Sequence, residues 1–172
     1  MKTLKHLTLA ILTLFILSSC ATVNVKTDYD SHTDFSKYKS FAFYKKGIDK
    51  AKISDIDKRR ILRAIETNLK VKGMKLSKTP DVLVSIFAKS EKHVDVYNYW
   101  YPNYYSAYWG NNFSNYIEGT LFINLIDAKE KTLIWQGIGR GALNTSGKVE
   151  KKEARINEFV GEVMEKFPPE KE

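Results

Sequence analysis

The chain has 172 residues, 43% hydrophobic and 28% charged, with a formal net charge of +8. It is long and apolar enough to bury a core, which excludes a disordered polymer. A single cysteine excludes a disulfide framework or thiolate zinc cluster, and three histidines leave little for a metal centre or catalytic triad.

The first element reads as a leader. Lys2 and Lys5 precede an apolar run from Leu7 to Leu17. A bilayer-spanning helix needs about 20 apolar residues, so this run suits a signal-peptide core instead. Leu17-Ser18-Ser19-Cys20 closes it and resembles the lipobox of bacterial lipoproteins. Small side chains at Ser18 and Ser19 let the backbone enter a peptidase cleft, and the Cys20 thiol is the nucleophile that accepts diacylglycerol. The resemblance implies removal of residues 1–19, with an acylated Cys20 as the mature N-terminus. The alternative is an ordinary secretory leader with an incidental cysteine. One acyl chain holds a protein only marginally, with a constant of about 10⁴ M⁻¹, whereas several on one residue make release negligible. Ala21 follows the cysteine where an aspartate could stand. That resembles outer-membrane cargo in the sorting pattern of enterobacterial lipoproteins, so the expected address is the periplasmic side of the outer membrane.

Loss of Lys2 and Lys5 lowers the net charge to +6, 26 basic against 20 acidic residues. The excess is local: Lys37 to Lys78 holds fourteen basic and four acidic residues. In the cytosol such a block would suggest nucleic acid. A periplasmic address removes that partner and leaves lipid head groups, lipopolysaccharide phosphates and cell-wall carboxylates. A solvated helix face that keeps the domain soluble explains the block equally well.

In the mature chain, Thr22 to Asp30 alternates Val23 and Val25 with polar residues, and Ser40 to Tyr44 is a second short strand. Ser54-Asp55-Ile56-Asp57 has the form of a helix start, with Ile61, Ile65 and Leu69 recurring behind it and Gly73 as the stop. Thr79-Pro80-Asp81 turns the chain into an apolar strand, Val82 to Ala88. Thr120 to Ile126 and Thr132 to Ile138 form a hairpin around residues 127–131. Ile156, Phe159, Val160, Val163 and Phe167 mark the apolar stripe of a last helix, ended by Pro168 and Pro169. The order ββαβββα predicts one α+β domain over residues 20–172. Its sheet is mostly antiparallel and five-stranded, with two helices on one face.

Three further features carry a family resemblance. They are Asp28-Tyr29-Asp30 followed by Phe35-Ser36-Lys37-Tyr38-Lys39-Ser40-Phe41, the run from Glu118 to Asp127 continuing to Leu133-Ile134-Trp135-Gln136-Gly137, and an aromatic insertion between them. On these the mature chain resembles the lipoproteins carrying domain of unknown function 4136 (DUF4136). That family has no agreed activity, so the resemblance implies no catalytic residue and no cofactor.

Motifs that could carry chemistry fail on context. Gly137-Ile138-Gly139-Arg140-Gly141-Ala142 has the spacing of a dinucleotide fingerprint, but no helix opens at its glycines, and glycines in a strand more often mark a bulge or close packing. Gly141 to Lys148 is one residue too long for a phosphate-binding loop. His93 and Asp95 could share a strand face as base and orienter, but no nucleophile has a motif that points to them. Glu118 and Asp127 lie too far apart along one strand to act as a carboxylate pair, and Trp135 reads as core. No metal site, cofactor or enzymatic activity is expected.

The strongest anomaly is an aromatic loop, 97–115, carrying Tyr97, Tyr99, Trp100, Tyr101, Tyr104, Tyr105, Tyr108, Trp109 and Phe113. Nine of the seventeen residues from 97 to 113 are aromatic, and no charge stands between Asp95 and Glu118. Each ring offers roughly 150–250 Å² to bury, so nine exposed together would far exceed the ~400 Å² patch an inert surface tolerates. The domain's own sheet could cover them, or the segment could be a partly disordered tyrosine- and asparagine-rich tract; otherwise they serve sugar stacking, a protein contact or a seat at the membrane interface. With strand one starting at the lipid, an antiparallel second strand and a crossover to a parallel third would return this loop to the anchor end. Lys45, Lys46, Lys50 and Lys52, in the link after the second strand, are expected at that same end as an anionic-interface patch. The leading expectation is a non-enzymatic envelope lipoprotein that binds or scaffolds at the membrane; the runner-up is a module binding peptidoglycan or lipopolysaccharide sugars. An envelope protein is a further possible partner.

Overall fold

The computed structural model describes residues 23–51, 53–93, 116–142 and 148–170, with side chains omitted at 90–93, 116–118 and 142. Six strands form one mixed sheet: β1 (Asn24–Tyr29), β2 (Ser40–Phe43), β3 (Lys75–Leu76), β4 (Val82–His93), β5 (Tyr116–Asp127) and β6 (Leu133–Ala142). Their order across the sheet is β1-β6-β5-β4-β2-β3. β4, β5 and β6 form an antiparallel meander, β1 adds antiparallel to β6, and β2 runs parallel to both β4 and β3. The helices are a single turn α1 (Lys45–Ile48), α2 (Asp55–Val71) and α3 (Val149–Glu165).

The α+β domain with helices packed on its sheet agrees with the sequence reading, and the crossover from β2 does produce a parallel β4. Two details differ. β3 makes the sheet six-stranded, and it is only two residues long, too short to leave a periodic trace. β1 and β2 run in opposite directions as expected, but they lie at nearly opposite sides of the sheet.

Local sequence explains both long helices. Ser54 caps α2: its hydroxyl accepts from the Asp57 N–H at 3.1 Å and donates to the Asp57 carboxylate at 2.8 Å. At the other end Gly73 takes φ +84°, where the Met74 N–H donates to Leu69 O and the Gly73 N–H to Lys70 O. That pair of bonds satisfies carbonyls the helix leaves open. Ile61, Ile65 and Leu69 are buried from α2, as are Ile156, Phe159, Val160 and Val163 from α3.

Both helices lie over one face of the sheet. Strand alternation sends Val82, Val84, Ile86, Leu121, Ile123, Leu125 and Trp135 into the layer beneath them. The glycines of β6 form the seat of α3. A Cβ at Gly137 would lie 2.5 Å from Val163 Cγ1, and one at Gly139 2.5 Å from Phe159 Cε1. The opposite face is open over much of its area: Phe87 packs against Phe122 there with ring centroids 5.6 Å apart, and Gln136 donates to Asn124 at 2.8 Å. No described helix is long and apolar enough to cross a membrane.

Candidate functional site

β1 rises from Val23, and β6 descends beside it so that Asn24 pairs with Arg140. β5 begins at this lower end and β4 finishes there, with His93 opposite Tyr116. The lower edge of the sheet therefore gathers the start of β1, four residues after Cys20, together with both chain ends that flank residues 94–115. Glu162 fastens the start of β1 to α3, its carboxylate accepting from the Val23 N–H at 3.3 Å.

Several residues of the sequence-level site lie outside the described residues. These are Cys20, Lys52, Asp95 and all nine aromatic residues, Tyr97, Tyr99, Trp100, Tyr101, Tyr104, Tyr105, Tyr108, Trp109 and Phe113. Lys45, Lys46 and Lys50 are described, and they stand elsewhere than expected. The Tyr44 N–H donates to Val84 O, and Gly47 presses so closely on β4 that a Cβ would meet Ser85 Oγ. β4 then runs eight residues beyond Ser85 before ending at His93. At about 3.3 Å per residue the lysine turn is roughly 26 Å from His93 and roughly 13 Å from the level of Asn24, which the register places beside Lys89. The shortness of β2 against β4 is the reason: the link leaves the sheet about a third of the way along its neighbour.

Three side chains to which the sequence reading gave no bonding role, Tyr38, Asp81 and Asp127, hold the upper end together. Asp81 accepts from the Lys39 and Ser40 N–H groups and the Ser40 hydroxyl, at 3.0, 2.9 and 2.8 Å, locking β2 to the turn before β4. The Ser40 hydroxyl, then the Lys39 N–H, hold its carboxyl below the usual carboxylate range. Asp127 accepts from the Lys129 and Glu130 N–H groups in the β5–β6 turn and from the Tyr38 hydroxyl at 2.8 Å. The Glu130 N–H is the main cause of its lowered pKa, while burial, and then Asp127, push the Tyr38 phenol up. The spacing of Asp81 and Asp127 beside turns was the available signal; their long-range partners left none.

Above these residues lies a cavity of about 770 Å³, between the 30–39 link, the exit of α2 and the tail after α3. Its wall is an aromatic cluster in which Phe35 meets Tyr29, Tyr38 and Phe167 at centroid distances of 6.1, 6.5 and 5.9 Å. Among the described residues, no three His, Cys, Asp or Glu side chains are grouped to hold a metal ion.

A family model described as "Domain of unknown function (DUF4136)" matches residues 25–169. No curated protein matches the chain. Among solved structures the chain is similar to a PDZ domain protein from Parabacteroides distasonis ATCC 8503, with a TM-score of 0.56 and 20% identity. That match covers 87% of this chain but only 36% of the other, so this chain spans well under two thirds of its length. It is also similar to a PelC dodecamer from Paraburkholderia phytofirmans, with a TM-score of 0.50 and 10% identity over 83% of this chain and 95% of the other. At these identities the likeness is one of fold.

Proposed function

Because the chain belongs to the DUF4136 family, we propose that it is a non-enzymatic envelope lipoprotein, held in the outer membrane by acylated Cys20, that binds or scaffolds at the bilayer through residues 97–113. The observation that carries this reading is the shared lower edge. Val23, His93 and Tyr116 all stand at that end of the sheet, which supports an anchor at Cys20 and a contact through residues 97–113 on the same side of the domain. Aromatic rings are enriched where a protein meets the head-group layer, because they offer an apolar body and a polar tip. The lysine turn is not part of this interface: its distance of roughly 26 Å from His93 exceeds the ~8 Å screening length at physiological salt by several-fold.

Tryptophan fluorescence tests the proposal. Trp135 is fully buried and gives a constant background, so a change on membrane contact reports Trp100 and Trp109. In vesicles carrying brominated lipid, the native lipoprotein is expected to lose part of its emission, and a Trp100→Phe/Trp109→Phe variant is not. Equal quenching in the two proteins would sink the membrane-seated reading.

A further inference from the structure

The upper cavity lies at the far end of β1 from Val23 and is separate from the lower edge. We propose that it binds a short oligosaccharide bearing an acidic group. The assignment goes beyond the membrane-seated reading and stands on the cavity alone.

Size and shape come first. A volume of about 770 Å³ lies within the roughly 300–1,000 Å³ usual for small-molecule sites. Its wall offers a ring ready for stacking: Tyr29 is 39% exposed and is propped edge-on by Phe35. The C–H face of a pyranose covers such a ring without desolvating a polar group, while its hydroxyls point sideways to the rim.

That rim is built before any ligand arrives. The Asp30 carboxylate accepts from the His32 N–H and the Thr33 hydroxyl, both at 3.0 Å, and Asp34 accepts from the Ser36 N–H and hydroxyl. These bonds fix the 30–36 link and reduce the ordering that binding would cost. Part of its backbone is committed as well. The Asp30 N–H bonds Ile134 O, the Thr33 N–H bonds Asp30 O and the Tyr38 N–H bonds Phe35 O. A peptide read by strand addition needs an uninterrupted row of free main-chain groups, and these bonds interrupt it. What remains is side-chain chemistry, from the His32 imidazole and the Ser31 and Thr33 hydroxyls, which matches a ligand whose polar groups are hydroxyls. Lys39 and Lys72 also line the cavity, beside the carboxylates of Asp34 and Glu170. Asp34 already accepts two bonds from Ser36, and neither lysine has an ion-pair partner among the described residues, which leaves two ammonium groups for a carboxylate or phosphate on the sugar.

The test titrates the full-length lipoprotein in detergent with a disaccharide of N-acetylglucosamine and N-acetylmuramic acid, whose lactyl ether supplies a carboxylate. A neutral N-acetylglucosamine disaccharide and an acetylated proline-rich hexapeptide run in parallel. Saturable binding of the acidic sugar is expected, stronger than that of the neutral one. Tyr29→Ala should weaken both sugars by about tenfold, the loss of one good contact, while Tyr29→Phe retains the ring and the affinity. Lys39→Gln/Lys72→Gln, at exposed positions, should weaken the acidic sugar by about tenfold, as loss of a charge-assisted hydrogen bond does, and leave the neutral sugar unchanged. No saturation with either sugar, equal affinity across the variants, or tighter binding of the peptide would each overturn the assignment.

Discussion

Tyr38 and Asp127 form a buried side-chain pair joining the 30–39 link to the β5–β6 turn, and their ionisation should be visible in stability. The sign follows from which form the fold prefers. Folding raises the pKa of Tyr38, so its contribution is complete below the unfolded phenol value of about 10 and is lost as pH rises above it. Folding lowers the pKa of Asp127, so its contribution is complete above about pH 4 and is lost as pH falls below that. Tyr38→Phe should cost about 1–2 kcal/mol at neutral pH, since it takes a hydrogen bond from a carboxylate. Wild type, but not the variant, carries the alkaline loss from this group, so the gap between them should narrow above pH 10 in urea melts. A gap that stays constant from pH 9 to 11 would refute the linkage. The pairing was not legible in the sequence: Tyr38 and Asp127 each stand in a recognisable motif, but only the folded sheet brings them within 2.8 Å.

At the scale of elements, local chemistry was readable and short elements were not. The Ser54 start and Gly73 stop of α2 depend on neighbours within a few residues, so the sequence displays them. α1 and β3 are four and two residues long, and β3 exists only because Ser40 and Phe41 pair with it. The glycines of β6 were legible as close packing and carry a measurable consequence. Gly139→Ala would put a methyl carbon 2.5 Å from the Phe159 ring and 2.6 Å from Val163 Cγ2. Because α3 must lift off the sheet or Phe159 must leave its rotamer, the expected cost is about 1–3 kcal/mol. Gly161→Ala, on α3 itself with nothing within 4 Å of the added carbon, should instead stabilise the helix by up to about 1 kcal/mol. Thermal melts of the two variants should move in opposite directions; a shift of the same sign in both would contradict the seat described for α3.

For the whole molecule, the direction of each strand followed from the order of elements, which is why Val23 and the chain ends at His93 and Tyr116 stand at one end. How far each strand extends could not be read, because β4 and β5 continue to His93 and from Tyr116 through polar residues that resemble a loop in sequence. That extension separates the lysine turn from His93 and Tyr116. Charge reversal exposes the separation. Lys45→Glu/Lys46→Glu changes the local charge by four units on side chains that are exposed, so folding should be unaffected. If the domain stands upright on its lower edge, these charges lie several screening lengths from the lipid phosphates. Quenching of Trp100 and Trp109 by brominated anionic vesicles should then match wild type at physiological salt. At 0.01 M ionic strength, where the screening length grows to about 30 Å, a loss of quenching should emerge in the variant. Equal sensitivity at both salt concentrations would mean that the lysine turn touches the bilayer. The domain would then lie on its β4 flank, with the open face of the sheet turned toward the membrane.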